Sequence, residues 1–200
     1  MSRRTSWAML ACLAMLVGAG CSPARFAKPA EWLTAPPAGQ SLINVHYTPS
    51  APKTAGFDLF DGEGHLVGKL RHRTLIQLVV RPGTTWLLTR DYNTAVIRIE
   101  TMPDKVYDVH ADYSTWTGVG GLVGWDSGVR MILDPVPPTG ELRQRIQAEE
   151  GELTPVAIDH ADPDVVAIEV KMRKDNTASM QAAQAKPDSI TLLTADQYRR

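Results

Sequence analysis

Between residues 57 and 113, short apolar runs alternate with loop signals at residues 61–64 (DGEG), 81–83 (RPG) and 102–105 (MPDK), a rhythm that predicts a β-meander. Residues 106–113 give the clearest strand. Tyr107, Val109, Ala111 and Tyr113 fall on one side of an extended chain, and Asp108, His110 and Asp112 fall on the other. The expectation is one buried face and one wet face. On that reading His110 and its two aspartates are solvated surface groups rather than a ligand set.

The chain has 200 residues, 44% of them hydrophobic and 22% charged, which suits one globular domain with appendages. Net charge is -1 and no basic stripe carries interleaved aromatics, so the sequence offers no nucleic-acid surface. Arg71, His72 and Arg73 read as a solvated hairpin turn.

The first twenty residues read as an export signal. Arg3 and Arg4 form a positive start, residues 7–17 an apolar core too short to span a bilayer, and Gly18, Ala19 and Gly20 a small-residue end before Cys21. The VGAGC ending resembles a bacterial lipoprotein signal, in which the cysteine is acylated and becomes the first residue of the mature chain. The resemblance implies lipidation at Cys21 and a membrane partner reached through that lipid. It also implies a periplasm-facing place in the cell envelope, with Ser22 pointing to the outer membrane. Cys12 lies in the segment to be removed, so the mature chain keeps no thiol for a disulfide, a cysteine zinc site or a cysteine nucleophile.

After the signal peptide (1–20), residues 21–40 form a Pro/Ala-rich stretch that reads as a lipidated tether. Trp32 and Leu33 interrupt it, resting either on the bilayer interface or on the domain. Residues 41–137 are expected to form a small antiparallel β-sandwich that folds without the tail. Its strands lie near 41–47, 57–60, 65–70, 75–80, 86–89, 95–99, 106–113 and 129–136. Residues 75–80 read as a central strand covered on both faces. Residues 138–173 are expected to hold a short helix over 141–150, with Thr139 as its cap and Gly151 as its stop. Extended segments at 153–158 and 164–172 follow, the second with Val166, Ile168, Val170 and Met172 on one face. Residues 174–200 read as a loosely ordered tail.

The order GHLVGKL, then TLIQLVVRPGTTWLL, then DKVYDVHADY resembles the small β-domain of certain bacterial lipoproteins of unknown function, related to PEGA-type domains. Residues 64–70, Pro82 with Gly83, and Lys105 with Tyr107 match the family pattern. Asp104 stands where the family usually has Gly, and Val106 where it often has Tyr. The resemblance implies an all-β, transthyretin-like or immunoglobulin-like sandwich and carries no catalytic residues.

Residues 114–128 form a Gly-rich loop bracketed by Trp116 and Trp125, the candidate partner-contact surface; capping of the open end of a sandwich is the alternative. The glycine spacing fits neither a dinucleotide fingerprint nor a P-loop. His46, His65, His72, His110 and His160 are dispersed, with no metal-ligand spacing, and no GxSxG elbow is present. The DHADPD run at 159–164 lacks the spacing of a calcium loop. The sequence therefore predicts no cofactor, no metal and no catalytic residue. It favours a non-enzymatic, lipid-anchored domain that binds or supports an envelope protein or glycan. The alternatives are a subunit of a secretion or surface-structure assembly, or a hydrolase or carbohydrate-active protein with a loop-built site.

Overall fold

The computed structural model describes residues 27–47, 56–90, 94–117, 127–186 and 190–199. In chain order the strands are β1 (Ala27–Pro29), β2 (Ser41–Tyr47), β3 (Gly56–Asp61), β4 (Leu66–Arg71), β5 (Thr74–Val80), β6 (Gly83–Arg90), β7 (Thr94–Thr101), β8 (Val106–Thr117) and β9 (Ser127–Pro135). Helix α1 (Glu141–Glu149), β10 (Thr154–Ile158), helix α2 (Pro163–Ala185) and β11 (Thr191–Leu193) follow.

The protein is mostly β, and its strands form two mixed sheets rather than a closed barrel. One sheet has the order β1-β10-β5-β2-β8-β9, and the other β11-β7-β6-β3-β4. From β3 to β8 the chain crosses between sheets after β4, after β5 and after β7, so the predicted meander is divided between two layers. The expectation of a purely antiparallel sandwich fails too. β2 is antiparallel to β5 but parallel to β8, and β10 lies parallel to β5 and β11 to β7.

The core lies between the sheets. Ile43, Val45, Tyr47, Tyr107 and Val109 from one sheet meet Phe57, Leu59, Leu87, Ile97 and Ile99 from the other. A register shift between Leu59 and Phe60 changes the parity of β4, so Leu66 faces outward while Leu70 joins the core. Leu66 then packs with Phe60, Leu88, Val165 and Met180, the second apolar cluster, which seats α2 on the outer face of the five-stranded sheet. Central strand β5 is covered only in part: Leu75 and Ile76 are buried, whereas Val79 is 38% exposed.

Three positions explain the glycine and turn pattern. Gly64 (φ 88) supplies the left-handed residue of the DGEG turn, where Asp61 accepts from the backbone N–H of Glu63 and His65, each at 2.9 Å. Asp104 has φ 59, a conformation that favours Gly, and compensates by accepting the Gly39 N–H at 2.6 Å. Gly68 of β4 lies against Ile76 of the other sheet, where a Cβ would stand 2.1 Å from Ile76 Cδ1. Gly68→Ala is therefore expected to cost about 1–3 kcal/mol by overpacking. Gly151→Ala, with nothing within 4 Å of its Cβ, should leave the urea midpoint unchanged. Equal midpoints for the two variants would remove this account.

The flanking segments depart most from expectation. Residues 27–29, assigned to the tether, are an edge strand antiparallel to β10. Residues 164–172, expected to be extended, belong to the 23-residue helix α2. Asp162 caps it by accepting from Asp164 N at 2.8 Å, and Pro163 occupies its first turn. That helix reaches well into the segment read as a loose tail. Beyond it β11 adds to β7, Ala195 accepts from the Tyr107 hydroxyl at 2.9 Å, and Arg199 N donates to Val106 O at 2.7 Å. Strands β1, β10 and β11, from outside residues 41–137, thus add to the two sheets of that segment. Thr139 does not cap α1: Gly140 (φ 111) holds that position, with no side-chain cap.

Candidate functional site

Two short patterns, Asn44-x-His46 and Asp108-x-His110, meet across the parallel pair β2 and β8, where Asn44 lies opposite Asp108 and His46 opposite His110. Alternation turns all four side chains away from the inter-sheet core. Gln77 on β5 extends the first row and Asp134 on β9 the second, so two polar rows cross the sheet, Gln77-Asn44-Asp108 and His46-His110-Asp134.

Alternation predicts a wet face here, and the structure corrects it. Asp108 is 0% exposed, His46 0% and His110 3%, and Asp112 is half-buried. Segments remote in sequence supply partners on this face. Leu33 lies on Gln77, its N–H donating to Oε1 and its carbonyl accepting from Nε2, both at 2.8 Å, and this places Trp32 and Leu33 on the domain. Helix α1 brings Arg143, whose Nε donates to Pro137 O at 3.2 Å. The C-terminal segment brings Arg199.

Asp108 is the point where these segments join. Its Oδ1 accepts from Asn44 Nδ2 at 2.9 Å, His46 Nε2 at 2.8 Å and Arg199 Nη2 at 3.0 Å. Its Oδ2 accepts from Arg199 Nε at 3.0 Å and from Arg143 Nη1. Arg199 also donates from Nη1 and Nη2 to Glu150 Oε1, both at 2.9 Å. Two guanidinium groups thus face two carboxylates.

Burial alone would push the Asp108 carboxyl up. The hydrogen bonds and charges of His46 and Arg199 more than reverse that and hold it well below the usual carboxylate range. Burial likewise opposes the Arg199 charge, and Asp108 and Glu150 outweigh it. For His110, burial pushes the imidazole down to about 4, with Asp112 acting against this and Arg145 and His46 adding to it. The Asp134 carboxyl is raised by burial and by Asp112.

Chemically this is a closed cluster. A carboxylate offers about four lone-pair sites, and Asp108 meets five donors, leaving it no capacity to take a substrate proton. Buried ions so arranged hold segments together, and removing one partner leaves the others uncompensated. Two ring nitrogens, His46 Nδ1 and His110 Nε2, have no hydrogen-bond partner among the described residues. Beside the cluster, a cleft of about 500 Å³ opens between Trp32, Gln147, Leu153 and the paired Glu150 and Arg199.

Other residues singled out in the sequence fall elsewhere. Cys21 and Trp125 lie outside the described residues. Trp116 belongs to β8, opposite Gly128, so the Gly-rich connection narrows to residues 118–126, which also lie outside. His65 stands 3.2 Å from Asp61, and His160 is 3.5 Å from Glu169. In the DHADPD run, Asp159 pairs with Lys28 at 2.5 Å and Asp162 caps α2. Among the described residues, no group of three or more His, Cys, Asp or Glu is placed to hold a metal ion. The sequence signal for the cluster was the paired N-x-H and D-x-H spacing; nothing local marks Arg143, Glu150 or Arg199. In comparisons with known proteins, no family model, no curated protein and no solved structure matches this chain.

Proposed function

We propose that the chain is a lipid-anchored envelope protein, acylated at Cys21 and facing the periplasm from the outer membrane. Its two-sheet domain binds or supports another envelope protein or glycan and performs no catalysis. The observation that carries this reading is Cys21 itself, placed directly after Gly18, Ala19 and Gly20 at the end of a short apolar run led by Arg3 and Arg4. A non-catalytic role is supported by the bonding of Asp108, whose oxygens are all engaged by protein donors.

The finer fold reading is a transthyretin-like or immunoglobulin-like sandwich related to PEGA-like domains of bacterial lipoproteins. Two motif positions support it: Gly68, where a Cβ would meet Ile76 of the other sheet, and position 104, whose backbone has the conformation that suits the family's Gly.

The test is palmitate labelling with membrane fractionation of the wild type and Cys21→Ser. The wild type should be labelled and sediment with membranes, and the variant should lose the label. One acyl chain binds a membrane only marginally and two or more give a stable anchor. Unlabelled wild-type protein in the soluble fraction would overturn the proposal.

A further inference from the structure

Helix α2 buries Val165, Asn176, Met180 and Ala183 against the five-stranded sheet. Flanking that buried line, Val166 and Val170 stand one turn apart, 47% and 66% exposed, and the same line continues to exposed Arg173. Lys171 and Lys174 occupy the adjoining line, also exposed. Of the helix's acids, Asp164 lies in its first turn, Glu169 accepts from Leu66 N at 3.0 Å, and Asp175, one turn beyond Lys171, pairs with Arg90 at 3.3 Å. In a chain of net charge -1, the exposed strip thus joins two valines to three cations that have no ion-pair partner among the described residues.

The N-terminal side of the chain identifies what this strip would meet. Strand β1 begins at Ala27, opposite Ile158, and Asp162, four residues beyond Ile158, caps α2. Lys28 bonds Asp159 within that connection. The six steps from Cys21 to Ala27 reach about 20 Å when fully extended. At about 1.5 Å per residue, the strip occupies the first ~17 Å of the helix. A bilayer holding Cys21 is therefore within reach of the start of α2.

We infer that Val166, Val170, Lys171, Arg173 and Lys174 rest on the headgroup surface of the bilayer that holds Cys21. The valines enter the boundary between headgroups and acyl chains, and the cations lie on anionic phosphates. This inference rests on the proposed lipid anchor for the nearness of the bilayer.

The test uses full-length mature protein extracted from membranes, with Val170→Cys carrying an environment-sensitive fluorophore. Mass spectrometry of the same sample reads the acyl chains. The protein is reconstituted in vesicles of phosphatidylcholine, with and without phosphatidylglycerol, that contain nitroxide-labelled lipid as quencher. The expected result is quenching at position 170 in the anionic vesicles. High salt should abolish it, as should Lys171→Glu, Arg173→Glu and Lys174→Glu together. A label at Gln144→Cys, on the helix over the opposite sheet, should stay unquenched. An acylated protein whose residue-170 label is unquenched in both vesicle types would overturn the helix contact and leave the anchor standing. Charge-dependent quenching in protein without acyl chains would sustain the contact and overturn the anchor. A label shielded in intact envelopes yet unquenched in protein-free vesicles would assign the strip to a protein partner and overturn the inference.

Discussion

Changing Asp108 to Ala is expected to destabilise the protein by about 3–5 kcal/mol, the range for removing one partner from a buried ion pair. The side chains left behind cannot turn to water, since Arg143 is 4% exposed and His46 0%. Arg199 is 27% exposed, and solvent can take over part of its hydrogen bonding. Urea denaturation should therefore rank the losses as Asp108→Ala, then Arg143→Met, then Arg199→Met. The ranking matters because total stabilities are commonly about 5–15 kcal/mol and the first variant can fall close to unfolding. A loss below about 1 kcal/mol for Asp108→Ala would show that the apolar core, not the cluster, holds these segments.

The second large effect is a loss of stability in mild acid. His110 titrates near 4 in the folded protein against 6.5 when free, so between those values the unfolded chain binds the extra proton. Stability is complete above about pH 6.5 and falls as pH drops toward 4, by about 3 kcal/mol at 1.36 kcal/mol per pKa unit. Asp108 adds nothing in this window: its lowered pKa gives stability that is present above its unfolded value of 3.8 and is lost only below it. Asp134, opposite His110, acts in the reverse sense. Its raised pKa means the folded form takes up a proton first, offsetting part of the loss at the acid end. Urea midpoints measured from pH 7.5 to pH 4 should fall in the wild type and stay much flatter in His110→Phe. Parallel curves for the two proteins would exclude His110 as the cause.

The strands were legible because their alternation is a local property, and β2 through β9 appear close to where the apolar runs place them. Two sheets were expected, but the assignment of each strand to its sheet was not legible, since the same runs suit a meander or repeated crossovers. In α2, Val166, Ile168, Val170 and Met172 alternate as a strand would. The helix follows instead the wider spacing of Val165, Met172, Asn176, Met180 and Ala183, and its start was written in Asp162 and Pro163. The polar face of β8 misled for a different reason. Alternation says which side a residue takes, not what lies over it, and the partners of Asp108 come from 35 and 91 residues away.

Those separations also govern the order in which the molecule can be finished. Asn44 and Asp108 are 64 residues apart and join parallel strands, so their pairing waits until the intervening strands have crossed to the other sheet and returned. Even then the carboxylate keeps a vacancy until Arg143 and Arg199 arrive. A chain emerging from its N-terminus, from a ribosome or through a membrane pore, therefore holds this carboxylate with Arg143 as its one guanidinium partner until Arg199 is free to turn back. Shortening the chain at that end would be felt first at β2 and β8, deep inside the sheet, and only afterwards at the surface where the cut was made.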